Sequence, residues 1–98
     1  QLRLRGSVVV DDGAARVLRQ QGRSLLSVGV VAARGQFERG DLVSCIDAEG
    51  REVARGLVNY RADEVVRIAG KPTAEIAEIL GYLAEPELIH RDNMVVMS

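Results

Sequence analysis

The chain has 98 residues, of which 47% are hydrophobic and 28% charged, with one cysteine and a net charge of −1. This length suits a single domain, and the near-neutral charge argues against a strongly nucleic-acid-binding surface. No apolar run approaches the roughly 20 residues of a membrane span, no signal peptide is visible, and a lone cysteine excludes an internal disulfide framework and suggests a reducing compartment. Because the sequence does not begin with Met, we expect a piece of a longer polypeptide, with residues 1–5 as residual linker.

The average charge hides a gradient along the chain. Residues 1–24 carry five arginines against two aspartates, whereas residues 72–98 carry five carboxylates against one arginine. Whether this gradient makes a patch on the surface depends on how the chain folds.

The first predicted elements are a strand and a helix. A β-branched run over residues 6–10 predicts the strand, and the Asp-Asp-Gly that follows can cap a helix over residues 14–21. Gly22 suits the left-handed position just past the last turn. Helical spacing separates an apolar face from an arginine stripe, and the two sets are Ala14, Val17, Leu18 and Gln21 on one side and Arg16, Arg19, Gln20 and Arg23 on the other.

The middle of the chain is predicted to be mostly strand. Residues 24–33 are rich in Leu and Val, with Gly29 marking a bulge or a close approach of the backbone. A turn over residues 35–41 leads to a strand over 42–46. The Asp-Ala-Glu-Gly of the next hairpin turn leads to a returning strand over 53–60.

The last third of the sequence is predicted to hold two short helices and a strand pair. Asp63 is expected to cap a helical turn that runs to Ile68. A second helix opens at Lys71-Pro72-Thr73 and ends at Gly81, with Ile76, Ile79, Leu80 and Leu83 as its apolar face. Strands over 88–90 and 94–97 would pair around residues 91–93. The whole order predicts a mainly β fold: a small mixed barrel with two or three helices on its outside.

A search for catalytic chemistry gives little. His90 is the single histidine, so no two-histidine metal site can form within one chain. Cys45 in an apolar strand favours a buried, inert thiol, and Asp11 with Asp12 favours helix capping. An enzyme acting through His90 and Asp92 is a weaker alternative to a simple turn at that place. We therefore predict no catalytic, cofactor-binding or metal site on this chain.

The arginine stripe is the one feature that points toward nucleic acid. Guanidiniums can contact phosphates, and Gly22 and Gly29 would allow a close approach of the backbone. However, the aromatic side chains that usually stack on single-stranded RNA are scarce. Physical reasoning alone therefore favours a solvated arginine face over an RNA site.

Several stretches resemble PUA domains in combination. They are the helix entry over residues 10–14 (VDDGA), the segment leaving the helix over 22–30 (GRSLLSVGV) and the turn over 35–41 (GQFERGD). Three more stretches are similar to the C-terminal domain of bacterial glutamate 5-kinases, namely residues 54–60 (ARGLVNY), 75–82 (EIAEILGY) and 89–93 (IHRDN). The resemblance runs from residue 6 to residue 96, and Arg61 departs from it where a small polar residue is expected.

The resemblance implies a single PUA domain over residues 1–98, a pseudo-barrel of about six strands with two or three helices. It implies a cytoplasmic parent enzyme, a phosphotransferase that phosphorylates L-glutamate with ATP and Mg²⁺ in proline biosynthesis. Its kinase domain would precede Gln1 and would hold the ATP and Mg²⁺, with no cofactor on the PUA domain.

In RNA-modifying members of the family, the first helix and the segment after it grip RNA. Carried over to this chain, the implied RNA-binding set is Gly13, Arg16, Arg19, Gly22, Arg23, Ser24, Leu25, Leu26, Gly29 and Val30. Two hypotheses follow. The first is a non-catalytic module that packs on its own kinase domain or a neighbouring subunit and tunes feedback inhibition and assembly. The alternative is an RNA-binding module that uses this set.

Overall fold

The computed structural model describes residues 3–97. Its centre is a five-stranded sheet in the order β2-β1-β3-β4-β5. The strands are β1 (Leu4–Val10), β2 (Val30–Gly35), β3 (Leu42–Ile46), β4 (Glu52–Leu57) and β5 (Met94–Val96). The β1–β3 pair is parallel and the other pairs are antiparallel. The prediction of a mainly β fold with small helices is confirmed, with five strands in place of about six.

Three short α-helices surround the sheet: α1 (Asp12–Gln21), α2 (Ala62–Ile68) and α3 (Ile76–Leu80). Within residues 3–97, none of them is both long and apolar enough to cross a membrane. The ends of α1 follow the sequence signals. The side chain of Asp11 accepts a hydrogen bond from Ala14 N at 2.7 Å, and Gly22 ends the helix with a φ of 59°.

The core lies between the inner face of the sheet and the helices. The alternation along β1 and β3 turns Val8, Val10, Val43 and Cys45 inward, where all four are fully buried. Tyr60 is the largest fully buried side chain. Its hydroxyl donates to Glu85 O at 2.5 Å and accepts from Ala84 N at 3.2 Å and Glu85 N at 3.1 Å, which fixes the loop after α3 to the core.

Two strand predictions were wrong. Residues 24–33 are not one strand, because Leu25 makes an isolated bridge to Ile89, residues 27–29 form a 3₁₀ turn, and β2 starts only at Val30. Residues 88–90 do not pair with 94–97. Instead β5 pairs with β4, and residues 91–93 form a 3₁₀ turn in which Asn93 N donates to His90 O at 2.9 Å.

Several element boundaries also differ. α2 begins at Ala62, so Asp63 lies inside its first turn, where it binds Arg61 Nε at 2.7 Å instead of capping the helix. The second predicted helix is a 3₁₀ turn over residues 73–75 followed by α3, which leaves Leu83 outside it and 47% exposed. Of the expected linker, Leu4 and Arg5 belong to β1, and residues 1–2 lie outside the described part.

Candidate functional site

A groove of about 510 Å³ with a mostly apolar lining lies between α1 and the segment that follows it. We call it the α1 groove. Leu26 and Val28 stand at its edge with 42% and 51% of their surfaces exposed. Its lining residues are Asp11, Gly13, Ala14, Val17, Leu18, Arg23, Ser24, Leu25, Leu26, Val28, Gly29 and Glu87. Exposed aliphatic side chains beside a concave surface are typical of binding sites.

Close contact between α1 and the 3₁₀ turn shapes one wall of the α1 groove. Asp11 N donates to Gly29 O at 2.9 Å, which holds the start of the helix against the turn. A Cβ added at Gly29 would lie 2.6 Å from Cβ of Ala14, far inside van der Waals contact. The close backbone approach predicted at Gly29 is therefore confirmed, and any larger residue would push the helix and the turn apart.

The opposite wall is held by the end of the chain. Leu25 N donates to Ile89 O at 3.0 Å, and Leu25 O accepts from Leu88 N at 2.8 Å and from Ile89 N at 3.2 Å. The hydroxyl of Ser24 accepts from Arg91 N at 2.9 Å. Because both backbone groups of Leu25 are bonded, this wall is fixed in place.

The structure divides the predicted RNA-binding set. Six of its members line the α1 groove: Gly13, Arg23, Ser24, Leu25, Leu26 and Gly29. Leu25 and Val30 are almost fully buried, and Gly22 serves as the helix cap. Arg16 and Arg19 line a separate depression of about 370 Å³ beside the β3–β4 hairpin. The arginine stripe therefore borders two depressions, with Arg23 at the α1 groove and Arg16 and Arg19 at the other.

Asp47 already pairs with Arg19, whose side chain stays 38% exposed. The Asp47 carboxylate is 3% exposed and accepts four hydrogen bonds. Two come from the backbone amides of Glu49 and Arg51, and two come from the guanidiniums of Arg19 at 3.0 Å and Arg51 at 3.1 Å. Burial alone would raise the pKa of Asp47, but these bonds outweigh it and lower the pKa to about 2.

Sequence reasoning missed several groove residues. The sequence predicts only a helix cap at Asp11, a buried helix position at Ala14 and a strand that includes Val28. Glu87 joins the groove from a distant part of the sequence. Val28 lies in the 3₁₀ turn and is 51% exposed. The one sequence signal of this turn was Gly29, which interrupts the apolar run.

The candidate catalytic residues make only local or buried contacts. Burial, together with the charge of Glu52, raises the pKa of Cys45 to about 12, so its thiol stays protonated. Nδ1 of His90 accepts from Asp92 N at 3.1 Å, as in a turn. Across residues 3–97 no group of three or more His, Cys, Asp or Glu side chains is placed to hold a metal ion.

Comparison with known proteins gives a consistent picture. The family model described as PUA domain matches residues 6–80. The glutamate 5-kinases of Hahella chejuensis and Methylococcus capsulatus are 64% and 60% identical to the chain over 96 residues each, which is 98% of the chain. The chain spans only about a quarter of the length of these relatives. A PUA domain from Aeropyrum pernix, crystallised as a tartrate complex, superposes with a TM-score of 0.66 and 27% identity over 90% of this chain and 42% of that one.

Proposed function

The chain belongs to the PUA domain family, and from this premise we propose that it is the non-catalytic C-terminal accessory domain of a glutamate 5-kinase. One observation carries the proposal: nearly the whole chain is 60–64% identical to about a quarter of the length of such kinases. The chain also has an apolar groove edged by the exposed side chains of Leu26 and Val28. An apolar groove with exposed aliphatic edges suits contact with another protein surface.

In this proposal the domain regulates and assembles the enzyme. It packs on the kinase portion of its own polypeptide or on a neighbouring subunit, in the cytoplasm. The kinase portion binds ATP and Mg²⁺ and phosphorylates L-glutamate for proline biosynthesis. The domain then acts by changing the sensitivity of that portion to feedback inhibition by proline and by setting its oligomeric state.

Removal of the domain from the full-length kinase tests this function. We expect deletion of residues 6–98 to change proline inhibition, Mg²⁺ dependence or oligomer size. Leu26→Ser with Val28→Ser should reproduce part of the change by making the groove polar. Val31→Ser with Val95→Ser is the matched control, because these valines are 62% and 67% exposed and lie away from the groove. If deletion leaves all three properties unchanged, the proposed role is wrong.

RNA binding at the α1 groove is a second candidate function. It is favoured by the six predicted residues that meet there, with Arg23 among them. Because Arg19 is held by Asp47, we expect Arg23→Ala to weaken RNA binding more than Arg19→Ala. The measurement is binding of this chain to bulk structured RNA at two salt concentrations, since phosphate contacts weaken steeply as salt rises. Absence of binding at low salt would eliminate this candidate.

A further inference from the structure

The strand β2 leaves the sheet with an open outer edge. It ends the sheet on one side, and its six residues exceed the three of β5 on the other side. In the part of the chain that the structure describes, β2 pairs only with β1, and no turn, loop or helix exchanges a backbone hydrogen bond with residues 31–35. An edge of this kind presents free N–H and C=O groups that can pair with another extended chain.

The open edge borders a groove of about 540 Å³ whose other wall is α2. We call it the β2–α2 groove. Ala33 and Gly35 line it from β2, so the strand presents only small side chains to it. Val66 lines it from α2, with 60% of its surface exposed. The other lining residues are Gln36, Phe37, Glu38, Arg61, Ala62 and Asp63.

The alternation of β2 turns its small side chains toward the groove and its charged side chain away from it. Ala33 packs partly against the core, so Arg34 points to the opposite face, where it lies across from Ser7. Val31 has no partner in β1, which marks a bulge and leaves residues 32–35 as the regular stretch. A strand added beside this stretch would direct alternate side chains into the groove.

One end of the β2–α2 groove carries a negative charge without a partner. Glu38 is exposed and forms no ion pair among residues 3–97. Arg61 in the lining is already bound to Asp63 through Nε at 2.7 Å, and Arg39 lies 4.0 Å from Glu85. A lysine or arginine at this end of a bound segment would therefore meet a carboxylate, whereas the phosphates of a nucleic acid would meet a like charge.

We propose that the β2–α2 groove binds an extended peptide segment of another protein, which adds a strand to the outer edge of β2. The backbone of the segment pairs with the free groups of residues 32–35, its alternate apolar side chains enter the groove beside Val66, and a basic side chain reaches Glu38. Main-chain hydrogen bonds supply the affinity of such a contact, and the alternate side chains supply its specificity. The inference goes beyond the proposed function and is independent of it, since it uses neither the α1 groove nor a kinase portion.

A second copy of this chain fits the edge less well than a single segment does. Two-fold pairing of β2 with β2 of another copy would bring both α2 helices to the same side of the joined sheet, each standing where the other copy needs space. One extended strand needs a width of only about 4.8 Å. The α2 wall therefore favours a segment that carries no helix beside it.

The test starts from a phage-displayed library of random seven-residue peptides, selected on this chain. We expect the selected sequences to alternate apolar and polar residues and to carry Lys or Arg at one end. Nuclear magnetic resonance with a synthetic selected peptide should show chemical-shift changes at residues 32–38 and 62–66. Hydrogen exchange of the outward β2 amides should slow at the same time, because these amides gain partners.

Two substitutions and one change in the peptide separate the contributions. Val66→Glu should weaken binding about tenfold by placing a charge against apolar side chains, whereas Val95→Glu, at the 67% exposed valine of the other edge, is the matched control. Glu38→Lys should weaken peptides with a basic end about fivefold, and Glu75→Lys, outside the groove, should not. N-methylation of the central peptide amide leaves the protein unaltered and should cost about tenfold by removing a hydrogen bond.

Three results would overturn the proposal. One is a library that yields no peptide affecting residues 32–38, and another is binding that N-methylation leaves unchanged. The third is protection of the β2 amides that grows with the concentration of the chain in the absence of peptide, which would assign the edge to a second copy. None of these measurements involves catalysis or proline inhibition, so they are unaffected by failure of the proposed function.

Discussion

Substitution of Gly29 by alanine tests the packing that shapes the α1 groove. The new Cβ would lie 2.6 Å from Cβ of Ala14, whereas carbon atoms in ordinary contact are about 3.5–4.0 Å apart. The helix and the 3₁₀ turn must therefore separate by about 1 Å. The φ of Gly29 is not in the left-handed region, so backbone strain adds nothing and the effect is purely steric.

The expected magnitude follows from two opposing contributions. Overpacking a tight contact costs about 1–3 kcal/mol. The alanine also restricts the unfolded chain, which offsets the cost by about 0.4–1 kcal/mol. The middle of each range gives a net loss of about 1.3 kcal/mol in the free energy of unfolding, which lowers the Tm of a domain this size by roughly 5–10 °C.

The assay is urea unfolding followed by far-ultraviolet circular dichroism, with two further variants. Gly13→Ala is the control, because its Cβ would meet only Asp11 Oδ1 at 3.5 Å, and it should stabilise α1 by about 0.5 kcal/mol. Ala14→Gly combined with Gly29→Ala removes the collision, so the two changes should show a coupling energy of about 1 kcal/mol or more. If Gly29→Ala is neutral, or if the pair is simply additive, the steric reasoning fails.

Three other residues give further predictions. Tyr60→Phe should lower the free energy of unfolding by about 1–3 kcal/mol in urea, because it leaves the loop amides and carbonyl of residues 84–85 without their buried partner. Cys45 should react with a disulfide reagent only in urea, and stability should decline above about pH 9, since the pKa of its thiol rises from 9.0 when unfolded to about 12 when folded. Asp47 has a pKa lowered from 3.8 to about 2, so the stability that its carboxylate provides is present above pH 4 and lost as the pH falls toward 2; Asp47→Asn should flatten that acid limb. A thiol that labels rapidly in the folded protein, or an acid limb unchanged by Asp47→Asn, would contradict the respective prediction.

The helix α1 shows what the sequence could predict. Its cap and its end at Gly22 are signals within a dozen neighbouring residues, and the structure has them in place. The predicted apolar face is only partly right, because Leu18 is buried as expected whereas Ala15, which lies outside that face, is buried and Gln21 is exposed. The start also differs, at residue 12 instead of residue 14, because capping places the first turn directly after Asp11. Local chemistry is sufficient for such an element.

The segment after α1 shows where local reading fails. Residues 24–33 have the composition of a strand, yet Leu25 finds its backbone partners at residues 88–89, and the contact with Ala14 bends the chain at Gly29. Leu25 and Gly29 therefore contact residues that are distant in the sequence, and a single sequence does not show which distant residues pair. Residues 88–90 were wrongly predicted to form a hairpin with 94–97 for the same reason, because their actual partner, Leu25, lies far away in the sequence.

The candidate site was predicted only in part, because contacts between residues distant in the sequence shape it. Helical periodicity correctly placed Arg16 and Arg19 on the exposed side of α1. It could not show that the turn carrying Asp47 folds against that side and binds Arg19 at 3.0 Å. The fold class was recoverable from local patterns and resemblance, whereas the division between the α1 groove and the neighbouring depression required the packing of the hairpin.

The bonds between Leu25 and residues 88–89 also define where the cooperative unit ends. The PUA family match stops at residue 80, but a chain shortened to that point would lose β5, leave β4 as an open edge and strip Leu25 and Tyr60 of their buried hydrogen-bond partners. Such a truncation would remove one wall of the groove together with part of the core. The segment that matches the PUA family model is therefore shorter than the segment that must fold as one unit. A recombinant version of this domain has to include the chain through Val96.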